Sequence, residues 1–343
     1  MRRFRWVRGV VVLGLASALL VPAAVSALSA RRECRPTAFV PSDVSGTVST
    51  IDVKTRTKDP ADIPVGAHPN NVAVTPDGKT VFVVNAADGT VSTIDVKTRT
   101  KDTTDIPVGS DPAGVAVTPD GKTAFVTNYL SNTVSTIDVK TRTKDTTDIA
   151  VGSQPFGVAV TPDGKTAFIA NQGSNSVSTI DVKTRRKNPT DIAVGSLPPE
   201  VEVTPDGKTA FVPNIGSDTF STIDVKTRTK NPTDIAWGTI PGKFAFTPDG
   251  KTAFVTNVLS DTVSTIDVKA RTKNPTDIPV GANPFAVAIT PDGKTVLVTH
   301  DNPFVAPVPS SVSTTDVKTR TKDPTDIPVG LGPFAVAITP CRR

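Results

Sequence analysis

The stretch VAVTPDGKTAFVTNYLSNTVSTIDVKTRTKDTTDIAVGSQP, residues 115–155, decides the architecture, because near-copies of it fill almost all of the 343-residue chain. Its TPDG turn recurs with Asp77, Asp120, Asp163, Asp206, Asp249 and Asp292 spaced 43 residues apart. Its STID segment places Asp52, Asp95, Asp138, Asp181, Asp224 and Asp267 at the same spacing, and a seventh copy at 313–316 follows 49 residues later. Self-similarity at such a period signals a solenoid or a propeller and overrides any domain count taken from length. Within the unit, residues 115–118, 123–128 and 133–139 read as short strands, and 104–108 of the preceding unit reads as a fourth. Pro119-Asp120-Gly121 is turn chemistry: proline presets φ and glycine accepts a positive φ. No segment carries a helical period. Four short antiparallel strands repeated seven times predict an all-β protein, a seven-bladed β-propeller of four-stranded antiparallel blades.

The ends of the chain predict how the ring closes. Thr37-Ala38-Phe39-Val40 matches the second strand of a unit, and Val336-Ala337-Ile338-Thr339 matches the first. One blade is therefore expected to take three strands from the N-terminal side and one from the C-terminal side. On this alignment Cys34 and Cys341, the two cysteines, both fall at the position of the turn aspartate. We expect a disulfide in place of the missing seventh TPDG turn, stabilising the ring by on the order of 5 kcal/mol in a chain-entropy picture.

Residues 1–27 have the three parts of a secretory signal. Arg2, Arg3, Arg5 and Arg8 form the charged start, residues 10–21 the apolar stretch, and Val25-Ser26-Ala27 a cleavage site. The apolar run is short for a membrane span and is broken by Pro22. The expectation is an exported, secreted or surface-associated chain with a single propeller domain at 28–343 and no membrane span once the signal is removed. Removal also changes the charge. The chain has 38 basic and 33 acidic residues, and the signal holds four arginines and no acid, so the mature part is nearly neutral at +1. Nucleic acid is therefore not an expected partner.

An antiparallel meander sends alternate turns to opposite faces. TPDGK and KTRTKDPTD share one face and are nearly invariant among the copies, whereas VGxxPxxV and NxxSNT share the other and vary. Repeat proteins diversify the surface they bind with. The variable face collects Asp43, Asp88, Asp111, Glu200, Glu202, Asp218, Asp261 and Asp301 against one base, Lys243. The constant face carries Lys54, Arg56, Lys58 and their counterparts, each followed by one or two acids.

Glu202 is the least expected residue, because its counterparts are Ala73, Ala116, Ala159, Ala245, Ala288 and Ala337. A carboxylate beside the ring axis must reach water or a partner. Glu200 precedes it by two residues on the same expected strand, and Lys243 holds the place matching Glu200 in the next blade. The three form either a functional polar cluster at the channel mouth or a local charge pair that keeps the channel wet. His300 replaces the asparagine found as Asn85, Asn128, Asn171, Asn214 and Asn257, and opens the enlarged loop 300–311 with Pro303, Pro307 and Pro309. His68 is the other histidine; with Asp111 and Asp301 it completes the candidate binding set Glu200, Glu202, Lys243 and His300. Phe156, Phe285 and Phe334 share one position after the proline of VGxxP and read as blade packing.

Several chemistries are unsupported. GKT recurs, but a phosphate-binding loop needs a glycine five residues before the GK pair, where Ala73 or its equivalents stand. No GxSxG elbow is present, and two histidines in separate blades do not form a copper or zinc site. No catalytic residue, metal ligand or cofactor is assigned, and a divalent cation at the channel mouth has no support from the residues. The aspartates of TPDG and STID recur in every blade and read as turn and strand-end hydrogen bonding.

PxxVAVTPDGKTAFVTN followed by NTVSTIDV resembles the YVTN-type seven-bladed β-propeller family of bacterial surface-layer and exported proteins, over residues 37–340. The signature reads FVTN at 125–128 and 254–257, with phenylalanine where the family has tyrosine. The resemblance implies the propeller and an extracytoplasmic location. It does not imply one activity, since relatives include binding proteins and, more distantly, lactonase-like and lyase-like enzymes, and no enzyme's catalytic set maps onto this chain. The first expectation is a monomeric, non-enzymatic module whose variable acidic face meets a protein, peptide or glycan. The alternatives are a lactonase-like hydrolase or lyase acting at the channel mouth, and an envelope scaffold gripping an anionic polymer through the basic face.

Overall fold

The computed structural model describes residues 35–237, 241–301 and 310–341. Every described residue in a sheet belongs to one of seven antiparallel sheets, and among the described residues helix is confined to one 3-10 turn, Val258–Ser260. The third blade shows the plan: Pro112–Val117 pairs with Thr123–Asn128, which pairs with Thr133–Asp138. The outermost strand differs from the expectation. In place of one run at 104–108 there are two fragments, Thr100–Lys101 and Ile106–Pro107, both paired to the same third strand Thr90–Asp95. Between them Asp102 and Asp105 turn their side chains back onto Thr93 and Ser92, and that inward bonding replaces ladder pairing. A broken, proline-bearing outer strand also makes a poor template for edge-to-edge pairing.

Ring closure follows the reading of the termini. Thr37–Ser42 pairs with Thr47–Asp52 on one side and with Ala337–Ile338 on the other, in the register Ala38↔Ile338 and Phe39↔Ala337. The described cysteine, Cys341, is not a free thiol. Cys34, its expected partner, and the expected signal at 1–27 lie outside the described residues.

The core is seven clusters, one at each blade–blade interface. A representative one joins Phe82, Val84, Val91 and Ile106 of the second blade to Val115, Ala124, Val126 and Ile137 of the third. Phe39, Phe82, Phe125, Phe168, Phe211 and Phe254, the aromatic of TAFV, are all buried, and Leu297 takes that place in the seventh blade. Burying each such ring is worth about 1.5–3 kcal/mol, so a short repeat becomes stable only between two neighbours. Polar groups inside the blades are paired by a repeated relay. Asn128 Nδ2 donates to Ser135 Oγ at 2.9 Å, and Ser135 donates to Asp148 at 2.8 Å. The same contacts join Asn85, Ser92 and Asp105.

The recurring aspartates do local work. Asp77 accepts from Thr75 Oγ1 and the Lys79 amide, and Asp52 accepts from the Lys54 and Thr55 amides. Amide and hydroxyl donors of Thr98 hold Asp95 below the usual carboxylate range, as they must for an ionised acceptor. The constant face also contains a device not evident from one unit. The arginine of each such hairpin adopts a left-handed backbone, φ 58° at Arg142, and several reach the neighbouring blade. Arg99 pairs with Asp59, Arg142 with Asp102 and Arg185 with Asp145. Arg56 closes the series onto Asp323 at 2.8 Å, and Arg228 bonds Asn188 at 3.0 Å. Lys58, Lys101 and Lys144 pair within their own blades to Asp62, Asp105 and Asp148. The arginines of this face thus join blades, and these lysines brace their own.

Candidate functional site at the ring axis

Residues at or just before the start of each blade's inner strand run beside the central channel, and one repeat position can be followed through all seven blades. Around the ring it holds Asn71, Gly114, Gly157, Glu200, Lys243, Ala286 and Ala335. Asn71, Gly114, Glu200, Glu202, Lys243, Ala286 and Ala335 line a narrow cavity of about 130 Å³. That is room for roughly four water molecules, well below the volume of about 300–1,000 Å³ typical of sites that enclose a small-molecule ligand.

The fifth blade departs from its siblings here. The other complete inner strands span six residues, as in Pro112–Val117, but this one is reduced to Glu202–Val203. Glu200 is therefore not on the strand as expected. Two consecutive prolines, Pro198 and Pro199, neither with an amide hydrogen, precede it. Released from the pleat, the Glu200 backbone packs against the fourth blade. A Cβ on Gly157 would lie 2.6 Å from Glu200 Cα and 2.7 Å from Oε1, so only glycine fits there.

On its other side Glu200 meets Lys243, with Oε2 and Nζ 3.9 Å apart. Glu200 is 12% exposed and Lys243 19%, and what they reach is the channel. Burial pushes both carboxyls up. For Glu200 the ammonium of Lys243 and the Val201 amide oppose the rise. For Glu202 the neighbouring Glu200 charge adds to it, and its pKa reaches about 8 despite Lys243. The cluster thus sets two carboxyls, both made harder to ionise by burial, against one ammonium. Among the described residues no group of three His, Cys, Asp or Glu side chains is placed to hold a metal ion.

The remaining candidates are not brought to this cluster. His300 is buried within the seventh blade, its Nε2 2.7 Å from Ser313 Oγ, where the other blades place asparagine against serine. Burial lowers its pKa to about 4, partly opposed by Asp326, so the ring is neutral. His68 is exposed, with Nδ1 3.1 Å from Asp43 Oδ2 across two loops. Asp111 lies in a loop with φ 51°, its carbonyl accepts the Tyr129 amide, and burial raises its carboxyl. Asp301 accepts from Ser310 at 3.1 Å; the loop prolines Pro303, Pro307 and Pro309 lie outside the described residues. Phe285 and Phe334 touch at 4.6 Å and Phe156 meets Tyr129 edge-on at 6.0 Å, half-buried on the variable-face side of the ring residues.

A surface feature went unread in the sequence. Among the described residues the large apolar side chains that stand exposed are Val44, Leu130, Leu197, Leu259 and Leu331. All five sit in NxxSNT-type or VGxxP loops, on the variable face. Tabulating apolar residues by loop class would have found them. Larger hollows exist elsewhere, about 920 Å³ between 101–108 and 141–145 and about 590 Å³ between 59–64 and 98–101. They recur at successive blade edges and follow from blades splaying outward, not from any distinctive chemistry.

A family model described as a seven-bladed β-propeller lactonase matches residues 152–305, and a YNCE-like β-propeller model matches 78–148 and 111–191. No curated protein matches the chain in sequence. Among solved structures, hydrazine synthase of Kuenenia stuttgartiensis is similar with a TM-score of 0.68 and 26% identity, over 78% of this chain and 88% of that one. A putative 6-phosphogluconolactonase of Bacteroides uniformis gives 0.73 at 19% identity over 89% and 100%. A second, from Bacteroides fragilis, gives 0.73 at 21% over 89% and 98%. At those two identities the likeness is one of fold. The protein is a seven-bladed β-propeller, similar in part of its sequence to the lactonase and YNCE-like propellers.

Proposed function

We propose that the protein is a non-enzymatic interaction module that meets a protein partner through its variable face. The observation that carries this reading is that the five large apolar side chains exposed among the described residues all lie on that face, which also carries Asp43, Asp88, Asp111, Asp218, Asp261 and Asp301. Apolar groups ringed by charge, on loops held by a rigid scaffold, are what a specific interface requires. In this reading the chain is exported, residues 1–27 are removed, and a Cys34–Cys341 disulfide secures the closing blade. A YVTN-type affiliation fits the same picture. The polymer-binding alternative is weakened by the arginines that pair with acids of the adjoining blade.

A second reading, lactone hydrolysis at the axis, is favoured by one observation: the lactonase match at 152–305 spans Glu200, Glu202 and Lys243. The small cavity and the acidic lining disfavour a phosphorylated sugar lactone. Hydrolysis of glucono-δ-lactone and its 6-phosphate, compared for the protein and Glu202→Ala, separates the readings. Turnover above the buffer rate that disappears in the variant would overturn the interaction reading. No turnover, with a partner whose affinity falls at least tenfold on Leu130→Asp/Leu259→Asp, would uphold it.

A further inference from the structure

The axial cluster is unbalanced by one charge. Two carboxyls, Glu200 and Glu202, share a cavity with one ammonium, Lys243, and the other ring positions, Asn71, Gly114, Gly157, Ala286 and Ala335, carry none. Glu200 is partnered by Lys243. The Glu202 carboxyl faces the cavity and has no hydrogen-bond partner among the described residues. Such a group is costly to ionise unless a cation joins it. The residues just before the ring on the variable-face side include Phe156, Phe285 and Phe334, so the approach is partly apolar.

We infer that the channel mouth is a slot for one primary alkylammonium group, which enters from the variable face past the phenylalanines and pairs with the Glu202 carboxylate. A divalent cation fits less well, because the deficit is a single charge and the Lys243 ammonium repels a second positive ion. A guanidinium is broad for a cavity of about 130 Å³, whereas an alkyl chain ending in an ammonium is narrow and has an apolar stem for the approach. Binding exchanges one positive charge for another: the proton on Glu202 leaves to solvent as the ammonium enters, and no covalent bond changes. Affinity must therefore rise with pH up to about 8, where Glu202 ionises unaided. The titratable groups facing Glu202 are Glu200 and Lys243. The inference rests on the interaction reading only in naming a partner's lysine as one source of the ammonium; a free amine is the other.

The test is calorimetric titration of the full protein with n-butylammonium and, separately, with Nα-acetyl-lysine amide, against sodium chloride at matched ionic strength. Expected are saturable binding, about tenfold tighter at pH 7 than at pH 6, and release of close to one proton per ammonium. Glu202→Ala, which restores the alanine of the other six blades and so keeps the fold, should abolish the pH dependence and weaken binding at least tenfold. Binding of both probes points to a displayed lysine, and binding of n-butylammonium alone to a free amine; either upholds the slot. No binding beyond the salt control, equal binding by Glu202→Ala, or binding of calcium in preference to the amines overturns it. Lactone turnover would sink the interaction reading without touching this result, and failure of amine binding would leave the Leu130/Leu259 interface standing.

Discussion

Replacing Glu202 by alanine should stabilise this protein, by an amount that grows with pH. In the folded chain the carboxyl titrates near pH 8, because burial and the Glu200 charge oppose ionisation; unfolded, it takes the ordinary value of 4.5. Below pH 4.5 both states hold the proton and Glu202 costs nothing through titration. Between 4.5 and 8 the unfolded chain releases the proton and the folded one keeps it, so stability falls with rising pH at 1.36 kcal/mol per unit. The penalty is about 3 kcal/mol at pH 7 and approaches about 5 kcal/mol above pH 8. Alanine has no such penalty, and six blades accept it at this position. Urea unfolding of the two proteins at pH 4.5, 6, 7 and 8 reads the difference directly, free of the other titrating groups they share. We expect the two curves to agree within about 1 kcal/mol at pH 4.5 and to separate by about 3 kcal/mol at pH 7, roughly 6 °C in Tm for a domain of this size. A difference that stays flat from pH 4.5 to 8, or a variant less stable at pH 7, would refute the reasoning.

Other outcomes follow from the same geometry. His300→Asn restores the asparagine of the other blades; because the buried imidazole titrates near 4 and not 6.5, it resists protonation as pH falls, and the variant should be more stable by about 2 kcal/mol at pH 5 but not at pH 7.5, read by urea melts. Arg142→Ala breaks the pair with Asp102 between blades and should cost about 1 kcal/mol at 50 mM salt and less at 500 mM, whereas Arg228→Ala, facing neutral Asn188, should show little salt dependence. Gly157→Ala drives a methyl against the Glu200 Cα and the Pro199 carbonyl and should lose about 1–3 kcal/mol in urea melts, a loss that Glu200→Ala in the same chain should relieve only in part because the backbone contacts remain. Leu130→Asp/Leu259→Asp should leave the urea midpoint unchanged within about 0.5 kcal/mol, since both side chains are exposed.

The channel cluster was legible only in part. Glu202 stood out because six sibling repeats supply the expectation of alanine, and the position of Lys243 one blade on followed from the 43-residue register. His300 was equally conspicuous, yet its side chain serves the blade interior, because it inherits the inward position of the relay asparagine. A departure from the repeat marks a residue as unusual; the direction in which its strand position points decides whether it reaches the axis or the core. The outer strand was misread as continuous because Asp102 and Asp105 bond to side chains of their own blade, which hydrophobic alternation does not register.

The sequence by itself determined the number of blades, the antiparallel four-strand plan and the closure of the ring by Thr37–Ser42 against Ala337–Ile338. These are properties of periodicity, and a period survives projection onto one dimension. Only the tertiary structure decided that arginines of the constant face clasp the next blade and that Glu200 packs over Gly157. Each depends on contacts between residues about 40 or more positions apart, set by how blades twist and stack, and no local pattern of the chain encodes that angle.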